Sequence, residues 1–235
     1  MMKDIFNSRK IINIHNSYLD LLKIIFLILL IIGLSLSFFY SPADYLQGET
    51  VRIMYVHVPS SWLALMIFST MSVCSLISLI FKFRIFTIFT KSLAPIGFTF
   101  SLISIFTGSL WGQPTWGTFW TWDARLTSMM LLVFLYIFYI MSWVFIKNIF
   151  TAEKISSLIS IFGLANIPLI KYSVIWWNTL HQPASIKFLE KSTIHQSMLT
   201  PLILMFFAFV CFSLMVFLIR FKVESFKLRV LREKK

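Results

Sequence analysis

Six runs of apolar residues divide this chain: Leu21–Phe39, Ser60–Ile80, Leu93–Leu110, Leu126–Ile146, Ile155–Trp176 and Met198–Ile219. A helix needs roughly 17 to 25 such residues to cross the hydrocarbon core of a bilayer, so each run is long enough to span it. The pattern predicts an all-α integral membrane protein with six transmembrane helices, forming a single membrane domain over residues 1–235. The first run lacks a small-residue cleavage site and reads as a retained span. The connections on the inner side are short, which makes sequential helices antiparallel neighbours. No internal repeat and no soluble domain interrupts the series.

Two runs carry more than apolar residues. In the third, Gly97, Ser101, Ser104 and Gly108 recur at helical spacing. They put small residues on one face, where another backbone can approach closely. The fifth contains Asn166, Pro168 and Lys171. Pro168 predicts a kink. A lysine and an asparagine at membrane depth are candidates for function, although Lys171 is near enough to the outer end to snorkel. Before the second run, Val51, Tyr55, Val58 and Trp62 share a helical face. They predict an interfacial amphipathic turn, with Pro59 in the first turn of the span.

Composition agrees with the membrane reading. The chain is 58% hydrophobic, only 13% charged and holds 26 Phe, too little polar surface for a soluble globule. Its net charge of +12 would suit nucleic acid, but the charge is distributed differently. Sixteen of the 21 Lys and Arg fall on one side of the spans, counting the N-terminal arm with Lys23, both inner loops and the tail from Arg220 to Lys235. The opposite loops hold only Arg52, Arg125, Lys187 and Lys191. That asymmetry predicts both termini inside, next to anionic lipid, and no nucleic-acid partner. Cys74 and Cys211 lie within spans without a CxxC partner, so no disulfide or thiol-exchange motif is implied. There is no CxxCH for covalent haem attachment and no GxxxxGK[ST] for ATP.

The outer loop between spans 3 and 4 is Trp-rich. Over 108–128 it holds Trp111, Trp116, Trp120 and Trp122, with Phe119 among them and Asp123 and Arg125 behind. Gly108, Gly112, Gly117 and Pro114 predict a broken backbone that can turn several rings one way. Interfacial belts favour tryptophan, but they populate both faces. Here seven of the eight tryptophans lie at or near the outer face, and Trp143 alone is inner. A planar aromatic platform with a few charges suits a large, flat, apolar anion, such as a porphyrin. Two histidines share this face: His57 ahead of the second span, and His181 after the fifth, close to Trp176 and Trp177. Imidazole is a common axial ligand of haem iron. His195 is a spare in the same loop as His181, and His15 stands alone in the inner arm. Asp123 and Arg125 are spaced to pair locally.

The segments WGQPTWGTFWTWDARLTS, VRIMYVHVPSSW and YSVIWWNTLHQP closely resemble the "WWD" family of haem-handling membrane proteins. Within it they resemble the protein C family (CcmC) of the system I cytochrome c maturation pathway. The likeness covers nearly the whole chain, in span count and loop order. Phe119 departs from it, standing where bacterial members often have a further Trp. The resemblance implies a protein that is not an enzyme and that holds haem b transiently and non-covalently at the outer face. It implies transfer of that haem to a membrane-anchored haem chaperone, protein E. ABC transporter proteins A and B release the loaded chaperone, and a small protein D assists. On this likeness His57 and His181 are the axial ligands. Trp111, Trp116, Trp120, Trp122 and Asp123 line the platform, with Arg125 near it. Arg52 and Lys187 are further cations for the propionates. The membrane is the bacterial inner membrane or the mitochondrial one. Two other readings stand beside it. A permease for haem or a small solute predicts polar residues lining several spans, and few are evident outside the third and fifth. A b-type cytochrome predicts histidine pairs within the spans.

Overall fold

The computed structural model describes residues 8–177, 179–182, 186 and 193–233, with side chains described between residues 18 and 227. The described residues form helices and connecting turns, with no strand. Seven α-helices follow in order: α1 (Ser8–Ser35), α2 (Met54–Phe81), α3 (Arg84–Trp116), α4 (Ala124–Phe145), α5 (Ile149–Gly163), α6 (Asn166–Trp176) and α7 (Gln196–Glu233). They supply six segments long and apolar enough to cross a membrane, with α5 and α6 together making one of them. α2 and α3 form the central pair. α1 and α7 pack on one side of it, and α4, α5 and α6 on the other.

Two local departures from the sequence pattern matter for function. First, α3 does not break at Gly108, Gly112 or Pro114 but runs on to Trp116. Pro114 removes one backbone donor only three residues before the helix ends. Thr115 Oγ1 ties back to the Trp111 carbonyl at 2.8 Å, and the Gly117 amide closes on Gln113 O at 2.9 Å. Gly117, at φ +77°, stops the helix in the left-handed conformation that glycine adopts without strain. Second, the break in the fifth span falls at Leu164–Ala165, ahead of Pro168. Pro168 therefore sits in the first turn of α6, where an amide has no helical partner to lose.

The segment before the second span also differs from expectation. A 3-10 turn at Glu49–Ile53 runs directly into α2, so Pro59 lies inside the helix and not in its first turn. Val51, Met54 and Tyr55 are buried against Met198, Leu202 and Met205 of α7 and do not lie on a membrane surface. Tyr55 also meets the Ser41 hydroxyl.

Lipid tails give apolar helices little reason to prefer one another, so small residues and interhelical hydrogen bonds select the pairs. More polar groups lie within the spans than the sequence pattern suggested, and they serve packing. Ser72 Oγ donates to Ser160 O at 2.6 Å, and Ser160 Oγ to Ser75 Oγ at 2.8 Å, joining α2 to α5. Tyr136 of α4 donates to the Ala64 carbonyl of α2 at 2.7 Å, and its ring lies against Gly97 of α3. Towards the C-terminal end of α7, Glu224 pairs with Lys91 of α3 and with Lys227, both at 2.9 Å.

A methyl group at Gly97 would overlap the rigid Tyr136 phenol, whereas one at Gly33 would meet the flexible thioether of Met205. Gly97→Ala is expected to destabilise the purified protein by about 1–3 kcal/mol, as overpacking does, and Gly33→Ala by less. Melting followed by size-exclusion in detergent tests this. Equal melting temperatures for the two variants would contradict the close α3–α4 approach.

Candidate functional site

His57 stands in the first turns of α2, where the buried residues Met54 and Tyr55 fix the helix. Its Nδ1 lies 2.9 Å from the Ser104 carbonyl of α3 and 3.2 Å from Thr107 Oγ1. A carbonyl can only accept, so the proton is on Nδ1 and the lone pair is on Nε2. The ring fits because residue 108 is glycine. A Cβ there would stand 2.8 Å from His57 Cε1. Ser61 Oγ meets Ser104 Oγ at 2.5 Å one turn further along α2. Trp111 packs edge-on against the imidazole, with ring centres 5.7 Å apart.

His181 comes from the segment after α6. Its Nδ1 lies 3.2 Å from the carbonyl of its neighbour Gln182, so by the same argument Nε2 carries the lone pair. Trp116 lies 5.8 Å from it, centre to centre. The two imidazole rings stand 6.4 Å apart with 31° between their planes. Two imidazoles bound to one metal from opposite sides, each through a bond of roughly 2 Å, have ring centres about 6 Å apart.

These groups border one cavity of about 470 Å³, within the usual size of small-molecule sites. Trp111, Trp116, Trp120 and Arg125 line it with the two histidines, and Leu65, Met129, Ile170 and Leu202 form an apolar floor. Trp111 Nε1 donates to Gln47 Oε1 at 2.9 Å, which holds that indole to the first outer loop. Asp44 builds this loop by accepting the amides of Leu46 and Gln47, both at 2.9 Å. Two imidazoles with their lone pairs on Nε2, beside indole faces, offer two metal-ligating nitrogens next to flat apolar surface.

The geometry separates the other candidates. Asp123 caps α4, its Oδ1 accepting the Leu126 amide at 2.8 Å, and Oδ2 is buried with no hydrogen-bond partner. No ion pair joins it to Arg125. Trp122 meets Trp120 edge-on at 5.7 Å but is 76% exposed. It borders a second recess with Thr121, Asp123, Thr179 and Leu180. Arg52 is engaged by Glu49 and by the Ser37 carbonyl. His195 Nδ1 bonds Ser197 Oγ at 2.7 Å at the start of α7 and is not among the residues that line the cavity. Asn166 joins α6 to the Ser128 carbonyl of α4 at 2.8 Å. Lys171 points outward over Tyr172. Lys187 and Lys191, and the side chain of His15, lie outside the described residues.

Sequence reasoning missed four contributors: Gln47, Ser104, Thr107 and Gly108. The spacing from Gly97 to Gly108 predicted a packing face, and it is one. Its last turn also seats an imidazole, and only the position of His57 on the facing helix could have hinted at that.

The family model of CcmC, haem exporter protein C, matches residues 1–235. The chain belongs to the haem exporter protein C family. Among similar proteins, haem exporter protein C of Bradyrhizobium diazoefficiens is 41% identical over 86% of this chain and 77% of its own length. That of Escherichia coli K12 is 37% identical over 87% and 82%. A ccmC-like mitochondrial protein of Marchantia polymorpha, named for cytochrome c biosynthesis, is 46% identical over 74% and 73%. Six spans and relatives in bacteria and mitochondria make this family member a multi-pass inner-membrane protein.

Burial, and then the Arg125 guanidinium, pull the His181 imidazole down from 6.5 to about 4, against the opposing pull of the Gln182 carbonyl. The unfolded chain then binds the proton more readily than the folded one. Stability from the neutral ring is present above pH 6.5 and drains as the pH falls towards about 4. The melting temperature should decline across that window, and less steeply for His181→Gln. Identical declines would remove His181 as a contributor.

Proposed function

We propose that this protein holds haem at the outer face of the inner membrane and passes it to a membrane-anchored haem chaperone during cytochrome c biogenesis. The observation that carries this reading is the pair of imidazoles in the cavity. Each is tied through Nδ1 to a carbonyl and left with a lone pair on Nε2, and their separation suits two axial ligands of one iron. The related proteins are named haem exporter protein C, which agrees with haem as the cargo.

The chain's own residues divide the work. His57 and His181 ligate the iron as neutral imidazoles, without a covalent bond to the porphyrin, so the hold on haem b is reversible. Their Nδ1 contacts fix the tautomer and orient the rings, as second-shell partners of metal ligands do. Trp111, Trp116 and Trp120 cover the macrocycle, and the apolar floor takes its hydrocarbon edge. Arg125 lines the cavity and has no ion-pair partner among the described residues, so it is the cation for a propionate. Arg52 is already engaged. Trp122, exposed beside the cavity, faces the chaperone. The family likeness supplies the remaining partners: protein E as chaperone, proteins A and B as the ATP-driven transporter that releases it, and protein D.

The purified protein should carry haem with a six-coordinate, low-spin absorption spectrum. His57→Ala and His181→Ala should each convert it to a five-coordinate form or lose it, and Arg125→Gln should lower the haem content. If both histidine variants kept the wild-type spectrum, the axial assignment would fail. Trp122→Ala should keep haem but lose co-purified chaperone. Trp116→Ala should weaken haem retention itself, since stacking is worth roughly 0.5–1.5 kcal/mol per ring beyond area burial.

The charge asymmetry assigns both termini to the inner side and the Trp-rich segment to the outer. Compartment-sensitive reporters fused at residues 118 and 235 should give opposite signals, and matching signals would sink the site's placement.

A further inference from the structure

The two histidines are held in different ways. His57 belongs to a 28-residue helix whose first turns are buried. Its ring is clamped by a second helix through the Ser104 carbonyl, the Thr107 hydroxyl and the wall at Gly108. Thr107 is itself fixed, because its hydroxyl donates to Ile103 O at 2.6 Å. To leave, this imidazole must give up its contacts to two residues of α3, across the most extensively packed helix pair among the described residues.

Among the described residues His181 has no comparable seat. Its Nδ1 partner is the carbonyl of the adjoining residue, which moves with it. The segment follows α6, an 11-residue helix cut from α5 at Leu164–Ala165. α6 packs substantially only on α4, and its outer end, with Ile175, Trp176 and Trp177, is at least half exposed. Among the described residues, no second helix holds the His181 ring through a hydrogen bond.

We propose that the two ligands have separate roles: His57 is the fixed ligand that retains the iron, and His181 is the exchangeable one that yields its coordination position to an incoming ligand. This rests on the reading of His57 and His181 as an axial pair. Breaking the His181–iron bond while an incoming donor forms its own leaves charge and oxidation state unchanged, so no further reactant is needed. The asymmetry gives transfer an order. The open position arises on the His181 side, next to Trp116, while the shelf on α3 keeps the cargo from being lost. Thr107 acts as a positioning residue, tuning the iron through His57.

Carbon monoxide tests this on the full-length, haem-loaded protein in detergent after reduction, because it takes the position of whichever ligand departs. If His181 yields, the wild-type CO complex keeps His57 opposite the gas. Its absorption and vibrational bands should then match those of the His181→Ala CO complex and differ from those of His57→Ala. Thr107→Val should shift the iron–carbon and carbon–oxygen stretches of the wild-type complex. CO binding should saturate with CO concentration in the wild type, where histidine release limits it, and rise linearly in His181→Ala. A wild-type complex matching His57→Ala would reverse the roles. Failure of the wild type to bind CO would overturn exchange altogether. A protein that carries no haem would instead sink the axial reading beneath it.

Discussion

Nearly everything around the cavity depends on how closely α2 can lie against α3. Where they meet there, residue 108 has no side chain, and the His57 imidazole occupies the space a Cβ would fill. From that contact follow the hydrogen bond to Ser104, the tautomer and the lone pair on Nε2. The neighbouring turns use the same close approach, with Ser61 against Ser104 and Trp111 against His57. A helix pair held only by bulky apolar side chains would stand too far apart for a ring nitrogen to reach a main-chain carbonyl. Small residues in a membrane are commonly explained by packing alone. Here the same stripe packs the helices along its length and seats the His57 imidazole in its last turns.

Much of this was legible in the chain before its fold. The six apolar runs are long and nearly free of charge, so hydropathy alone located the spans. His57, His181, Trp111, Trp116 and Trp120 were legible as a group because each lies near the end of an apolar run, and they border one cavity. The elements that were misread are those where a local rule met a tertiary one. Gly112 and Pro114 look like helix breakers, but both fall in the last turns of a helix that ends at Trp116, where Thr115 and Gly117 reorganise the backbone. Pro168 looks like the kink, but it opens a new helix whose start is set by the turn ahead of it. The amphipathic face from Val51 to Trp62 looks like a surface helix because its apolar partner on α7 lies well over a hundred residues away.

The aromatic loop also divides in a way that spacing could not reveal. Trp120 and Trp122 differ by two positions, yet one lines the cavity and the other faces outward. Asp123 sits between Trp122 and Arg125 in a natural position for a salt bridge, but it caps α4. That choice has a structural reason. An unpaired amide at the start of a helix is costly to leave without a partner, and the cap leaves the Arg125 guanidinium free to line the cavity.

The floor of that cavity is made of Leu65, Met129, Ile170 and Leu202, none of which offers water a hydrogen bond. Water gains little against such a surface, so at the floor an apolar group is favoured over solvent. An apolar occupant adds its binding energy to the stability of the fold. The melting temperature of the polypeptide is thereby tied to the concentration of whatever apolar molecule fills the floor.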